Sequence, residues 1–90
     1  MAIVYGTSRF FLAPGAQAGF ITSFANKAYR GPIVCSSVAD GLRQRVATSP
    51  VDPEFIERNP DGFTSKCDYH FVANNFNAFG VTVRFHLLTD

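Results

Sequence analysis

The sequence predicts a small α+β domain, in which an antiparallel sheet carries two helices packed on one of its faces. Three observations predict this class. Residues 66–90 alternate apolar and polar side chains on both sides of an Asn-rich bend, two central segments repeat apolar residues at a spacing of four, and groups of Gly, Pro and Asn separate the segments. The 90 residues form a single domain, 1–90, with one core.

The N-terminal run contributes the first strand of the predicted sheet. Its two β-prone segments, AIVY and RFFL, are separated by GTS. We predict either one strand that is bulged at Gly6 or a short hairpin. Pro14 and Gly15 end this element.

Residues 16–29 are predicted to form the first helix. Apolar residues recur there at a spacing of four, at Phe20, Phe24 and Ala28. Gly31 and Pro32 then act as a stop signal. The alternative is a strand, because the segment FITSF is rich in residues that also suit a sheet.

The segment PIVCSS predicts a short middle strand, and a second helix is expected to follow it. Ser36 or Ser37 is a suitable N-cap, and apolar residues again recur at a spacing of four, at Val38, Leu42 and Val46. Gly41 weakens this helix by about 1 kcal/mol relative to Ala. The helix therefore depends on tertiary contacts.

Residues 48–65 are predicted to be a long irregular connection. The segment, TSPVDPEFIERNPDGFTS, contains three prolines and an Asp-Gly pair. Phe55 and Ile56 are unusual in such a loop. They either anchor it to the core or present a hydrophobic surface to a partner.

The C-terminal segment predicts a β-hairpin with an apolar and a polar face. Its apolar positions are Cys67, Tyr69 and Phe71 on the first strand and Val81, Val83, Phe85 and Leu87 on the second. The most compact register that keeps these residues on one face pairs Phe71 with Val83, Tyr69 with Phe85, His70 with Arg84 and Asp68 with His86. Phe76 and Phe79 then lie in the connecting loop, where they fold back or contact a partner.

This register places Asp68, His70, Arg84 and His86 on one polar face, which is the candidate chemical site. It could serve a small enzyme or a ligand-binding protein, with a neighbouring copy closing the pocket. Arg84 would repel a cation, and the outer face of a ribbon does not exclude water. We therefore predict no metal and no cofactor, and favour a solvated ladder of cross-strand charges.

Composition favours a protein partner over other ligands. Charged residues make up 17% of the chain, below the roughly 25% of an average domain, although it holds ten Phe and three Tyr. Apolar surface is therefore expected to remain outside a lone monomer. A net charge of +1 without basic runs argues against nucleic acid, and no apolar run is long enough to span a membrane.

These observations predict a non-enzymatic protein-interaction or assembly module that binds a partner or itself through Phe55, Ile56, Phe76 and Phe79. A structural component of a phage or virus, or an inhibitor directed at a host, would fit this size. Cys35 and Cys67 are predicted to be free thiols, since the chain starts without the basic residues of a secretory leader. Both points favour a cytoplasmic location.

Overall fold

The protein is built almost entirely of β-strands, which corrects the predicted α+β class. The computed structural model describes residues 2–58, 60 and 65–89. These residues form two antiparallel sheets and one short 3₁₀ turn, Ala25–Lys27. The strands are β1 (Ala2–Gly6), β2 (Phe10–Leu12), β3 (Gln17–Thr22), β4 (Val34–Ala39), β5 (Val46–Thr48), β6 (Asp52–Arg58), β7 (Ser65–Asn75) and β8 (Val81–Thr89).

Each sheet is organised around one long central strand. In sheet A, β8 pairs with β4 along one edge and with β1 and β2 along the other. In sheet B, β7 pairs with β3 along one edge and with β5 and β6 along the other. Every strand pairing in the described part of the chain therefore involves β7 or β8.

The two sheets form a sandwich whose core lies between β7 and β8. The predicted alternation is confirmed over residues 67–75 and 81–87, where the odd-numbered residues are buried and the even-numbered residues lie on the outer faces. The buried set comprises Cys67, Tyr69, Phe71, Ala73 and Asn75 of β7 and Val81, Val83, Phe85 and Leu87 of β8.

The predicted C-terminal hairpin is wrong, because β7 and β8 belong to different sheets and do not pair. Residues 76–80 connect β7 in one sheet to β8 in the other. The side chain of the buried Asn75 stabilises this connection. The two hydrogens of its amide group are shared among three carbonyl oxygens, those of Leu12 at 3.1 Å, Ala13 at 2.9 Å and Phe79 at 3.0 Å. These bonds tie the end of β7 to the end of β2 in the opposite sheet. The assumed cross-strand pairs therefore do not exist.

Neither predicted helix forms, and the alternative strand is present in the first segment. Residues 17–22 are β3, and Phe20 and Thr22 face the core from it, as expected when side chains alternate. In the second segment, Val38 lies in β4, Leu42 in a turn and Val46 in β5. A spacing of four is a multiple of the strand period of two, so it did not distinguish a helix from a strand.

The remaining connections were predicted in part. PIVCSS is confirmed as a strand, which extends as β4 to Ala39. The N-terminal run is neither a continuous bulged strand nor a hairpin, because β1 and β2 are separate strands that pair with successive parts of β8. The bulge lies between Ile3 and Tyr5 instead of at Gly6. Residues 52–58 form the edge strand β6 instead of an irregular loop, because their backbone pairs with β7 in sheet B. The Asp61-Gly62 pair lies outside the described residues.

The two long sides of the sandwich are closed in different ways. Between β4 and β5, hydroxyl groups bridge the sheets: Ser37 Oγ donates to the Val46 carbonyl at 2.7 Å and Thr48 Oγ1 to the Cys35 carbonyl at 3.2 Å. On the other side, aromatic rings bridge β1 and β2 to the β3 region, with centroids 5.0 Å apart for Phe10 and Phe20. The first side is thus closed by hydrogen bonds between its edge strands, and the second by contacts between aromatic rings.

Candidate functional site

The four residues of the predicted polar face lie on two opposite outer faces of the sandwich. Asp68 and His70 point outward from β7 in sheet B, whereas Arg84 and His86 point outward from β8 in sheet A. Packed sheets are about 10 Å apart, and the core fills that space. The structure therefore brings together two pairs of residues, and it does not bring together all four.

Asp68 and His70 belong to a polar strip across sheet B. Asp68 accepts a hydrogen bond from Ser23 Oγ and lies 3.8 Å from Lys27 Nζ. His70 Nε2 is 3.7 Å from Glu54 Oε1, a distance beyond hydrogen-bonding range. On the neighbouring strands, Asp52 and Ile21 lie directly opposite His70. The strip is a set of polar and charged side chains beside an exposed apolar residue, Ile21.

A shallow depression of about 350 Å³ adjoins His70 and has mainly apolar walls, formed in part by Ile21 and Val72. Ser49 and Asp52 also line it, so a Ser, a His and an Asp occur together. Ser49 Oγ, however, accepts from the Val72 amide at 2.8 Å and donates to the Pro50 carbonyl at 3.2 Å. Its hydroxyl is engaged with backbone groups, which does not suit a nucleophile activated by His70.

Arg84 and His86 lie on an outer face of sheet A that carries both polar and apolar side chains. His86 lies opposite Ser36 on one side and Gly6 on the other, and Arg84 lies opposite Val38. Val34 and Val38 are exposed on the same face. This environment provides no carboxylate to orient the imidazole among the residues directly paired with it.

The described residues also contain no group of three or more His, Cys, Asp or Glu side chains that could hold a metal ion. Within the same ranges, no helix is long and apolar enough to cross a membrane.

Both thiols face the core and are unpaired in the structure. Cys67 is fully buried on β7, and Cys35 is half-buried on β4. Burial raises the pKa of the Cys35 thiol to about 11, and the hydrogen bond with Thr48 offsets only part of that effect. A thiol with such a pKa is protonated at neutral pH and is a poor nucleophile.

The four predicted partner-contact residues are exposed, and they lie at opposite ends of the molecule. Phe55 and Ile56 are on β6 at one end, where the Phe55 ring contacts Tyr29 with centroids 5.0 Å apart. Phe76 and Phe79 lie in the connection at the other end. Phe55 pairs with Cys67 on the neighbouring strand, and the nine residue-to-residue steps from Cys67 to Phe76 span about 30 Å of extended chain. The four residues form two separate surfaces.

Sequence reasoning missed three of the most exposed apolar residues. Leu42 is 95% exposed in the turn after β4, Phe11 is 70% exposed on β2, and Ile21 is 66% exposed on β3. The Phe11 ring lies over Gly80, where a Cβ would collide with it. For Leu42 the sequence held a signal, because the segment DGLRQ places a lone leucine among turn-forming and polar residues.

Comparison of the chain with protein-family models, with curated proteins and with solved structures found no match in any of the three.

Proposed function

We propose that this protein is a non-enzymatic interaction module that assembles with itself or with another protein through apolar surface. The observation that carries the proposal is the amount of large apolar side chain left in water on a 90-residue chain. The exposed residues occur on both outer faces, at both ends and along the open side between β3 and the β1 and β2 strands: Tyr5, Phe10, Phe11, Ile21, Tyr29, Val34, Val38, Leu42, Phe55, Ile56, Phe76 and Phe79.

The magnitude of this exposure supports association. Phe11, Ile21, Leu42 and Phe76 each keep more than 60% of their surface in water. Each would gain on the order of 1–2 kcal/mol when a partner covers it, since full burial of such a side chain is worth about 1.5–3 kcal/mol. A contact that covers two or three of them, with their neighbours, offsets a substantial part of the cost of association.

The polar groups of the chain give less support to an enzyme. The histidines are on opposite faces, the Ser49 hydroxyl is bound to backbone, and the Cys35 thiol is protonated at neutral pH. Nucleic acid is also a poor candidate, because the net charge is +1. The unpaired thiols support a reducing, cytoplasmic location as part of the same proposal.

Sedimentation velocity over a wide concentration range, together with capture of a complex from the native source, tests this proposal. We expect concentration-dependent association of the purified chain or a stoichiometric partner. Phe76→Ser should weaken an interaction at the loop end, while Phe55→Ser, at the opposite end, serves as the matched control. A chain that stays monomeric at every concentration and yields no complex would overturn the proposal.

A further inference from the structure

One sheet edge lacks the features that normally keep edge strands from pairing with other chains. β3 has the sequence QAGFIT, which contains no charged residue and no proline. The β6 edge carries Pro53, Glu54 and Glu57 and a bulge between Phe55 and Glu57. Charges, proline and bulges are the usual means by which edges are protected.

The remaining edges are also less available than β3. Side-chain hydrogen bonds to the Cys35 and Val46 carbonyls join the β4 edge to β5. The opposite edge of sheet A is divided into β1, which is bulged, and β2, which has three residues. β3 has six residues, or about 20 Å of extended chain, which equals the length of β4, and its pairing with β7 is regular throughout.

The hydrogen bonds of Val72 show which backbone groups of β3 are free. The Val72 amide donates to Ser49 Oγ at 2.8 Å, and its carbonyl accepts from the Ser49 amide at 2.8 Å, so both groups point away from β3. Gly19 lies opposite Val72 and is therefore in a pair that is not hydrogen-bonded. By alternation, the amides and carbonyls of Gln17, Gly19 and Ile21 point outward from the sheet edge.

The surface beside this edge is mainly apolar on the outer face and mixed on the core side. On the outer face, Ile21 is exposed and no atom lies within 4 Å of the place where a Cβ on Gly19 would stand. On the core side, an open groove of about 190 Å³ separates β3 from β1 and β2, with Tyr5, Phe10 and Phe20 among its walls. A strand added to β3 would contact apolar groups on the outer face, and both aromatic rings and hydroxyl groups, among them those of Thr7 and Ser8, on the core side.

We propose that the β3 edge pairs antiparallel with β3 of a second copy of this chain, so that the two B sheets join. In the register that we infer, Gly19 of each copy lies opposite Ile21 of the other, and Phe20 lies opposite Phe20. Residues opposite one another share a face in this register, as antiparallel pairing requires. The Gly19–Ile21 pair occurs twice and supplies four main-chain hydrogen bonds.

A second copy is the occupant because the strand complements itself. The exposed Ile21 side chain would lie over the open Gly19 position of the other copy, and Phe20 would meet Phe20 above the aromatic groove. A net charge of +1 and an uncharged strand give little repulsion between copies. This inference rests on the proposed interaction function and names its surface and partner.

Sedimentation of single-site variants tests the surface. Ile21→Lys places a charge beside the edge at an exposed position, and we expect it to weaken the dimer at least 100-fold with the circular dichroism spectrum unchanged. Leu42→Lys is the matched control, since Leu42 is exposed away from this edge, and it should dimerise like the unmodified chain. Equal dimerisation of Ile21→Lys and the unmodified chain would overturn the inference.

Amide hydrogen exchange of the unmodified chain gives a second readout that does not depend on a variant folding. We expect the Gly19 and Ile21 amides to become protected as the protein concentration rises. If the chain associates while these amides exchange freely, the β3 inference fails and the proposed function stands. If the chain stays monomeric and a different protein protects the Gly19 and Ile21 amides, the identification of the partner as a second copy is wrong. If the chain stays monomeric and binds no partner, both proposals are overturned.

Discussion

Replacing Asn75 with Ala should be among the most destabilising polar substitutions in this protein. Asn75 is 2% exposed, and its side chain makes five hydrogen bonds. Its amide donates to the carbonyls of Leu12, Ala13 and Phe79, and its oxygen accepts from the amide and the side chain of Asn77, both at 2.8 Å. The substitution would remove all of these hydrogen bonds.

The expected cost follows from the burial of these bonds. The bond to Leu12 is buried, and the others are part-buried. An unsatisfied buried group costs about 1–3 kcal/mol, while a bond that water can replace costs about 0.5–1.5 kcal/mol or less. We expect a total near 3 kcal/mol, which lowers the Tm of a domain of this size by roughly 12–24 °C.

Urea and thermal unfolding followed by circular dichroism measure this cost. Asn74→Ala is the matched control, because Asn74 is the adjacent residue on β7 and lies on the outer face. We expect Asn74→Ala to change the free energy of unfolding by less than about 0.5 kcal/mol. Equal effects of the two substitutions would refute the role assigned to Asn75.

Asn75→Asp adds a pH test with a defined sign. A carboxylate at this position would face three carbonyl oxygens in a buried site, which raises its pKa above the unfolded value of about 3.9. The free energy of unfolding of the variant should therefore be closest to that of the unmodified chain below about pH 3.9. Its stability should fall as pH rises through the folded pKa. A difference that stays constant between pH 4 and pH 7 would contradict the contacts described here.

Three further outcomes are expected. Burial raises the pKa of Tyr69 to about 12 from 10.0, so the stability that its neutral hydroxyl contributes is complete below pH 10 and is lost as pH approaches 12. Tyr69→Phe removes the hydrogen bonds with the Arg30 amide and the Gly31 carbonyl. In urea titrations this variant should lack that part of the decline in stability at alkaline pH. Cys35 should react slowly with iodoacetamide in the folded protein at pH 8, and an unreduced mass spectrum should show no loss of two hydrogens. Asp68→Asn and His86→Ala should have additive effects on the free energy of unfolding within about 0.5 kcal/mol, since they act on opposite faces; a larger coupling would favour the discarded hairpin register.

The sequence predicted the inner and outer faces of β7 and β8 because strict alternation over many residues has one structural meaning. It did not predict where those strands lie. A short Asn-rich connection between two alternating strands is typical of a hairpin, but it also suits a crossing between sheets when a side chain such as Asn75 binds the opposite sheet. Local sequence does not reveal such a contact, since its carbonyl partners are about sixty residues away.

The candidate site depended on the same ambiguity. Grouping Asp68 with His86 required β7 and β8 to be neighbours, so placing them in different sheets separated the pair. The helix predictions failed because Phe20 and Phe24 fit both a helical stripe and one face of an extended chain. The exposed aromatic residues were easier to anticipate, since low charge and many Phe residues leave too little polar side chain to cover a small domain.

The order of the strands along the chain affects how the protein folds as it is synthesised. In the described part of the chain, β1 to β6 pair with β7 and β8, which follow them in the sequence. Sheet B cannot form until β7 has left the ribosome, and sheet A cannot form until β8 has. Folding therefore depends on long loop closures and is expected to be slow. Until then the aromatic segments remain open to aggregation, which makes chaperone supply and synthesis rate sensitive variables in producing the protein.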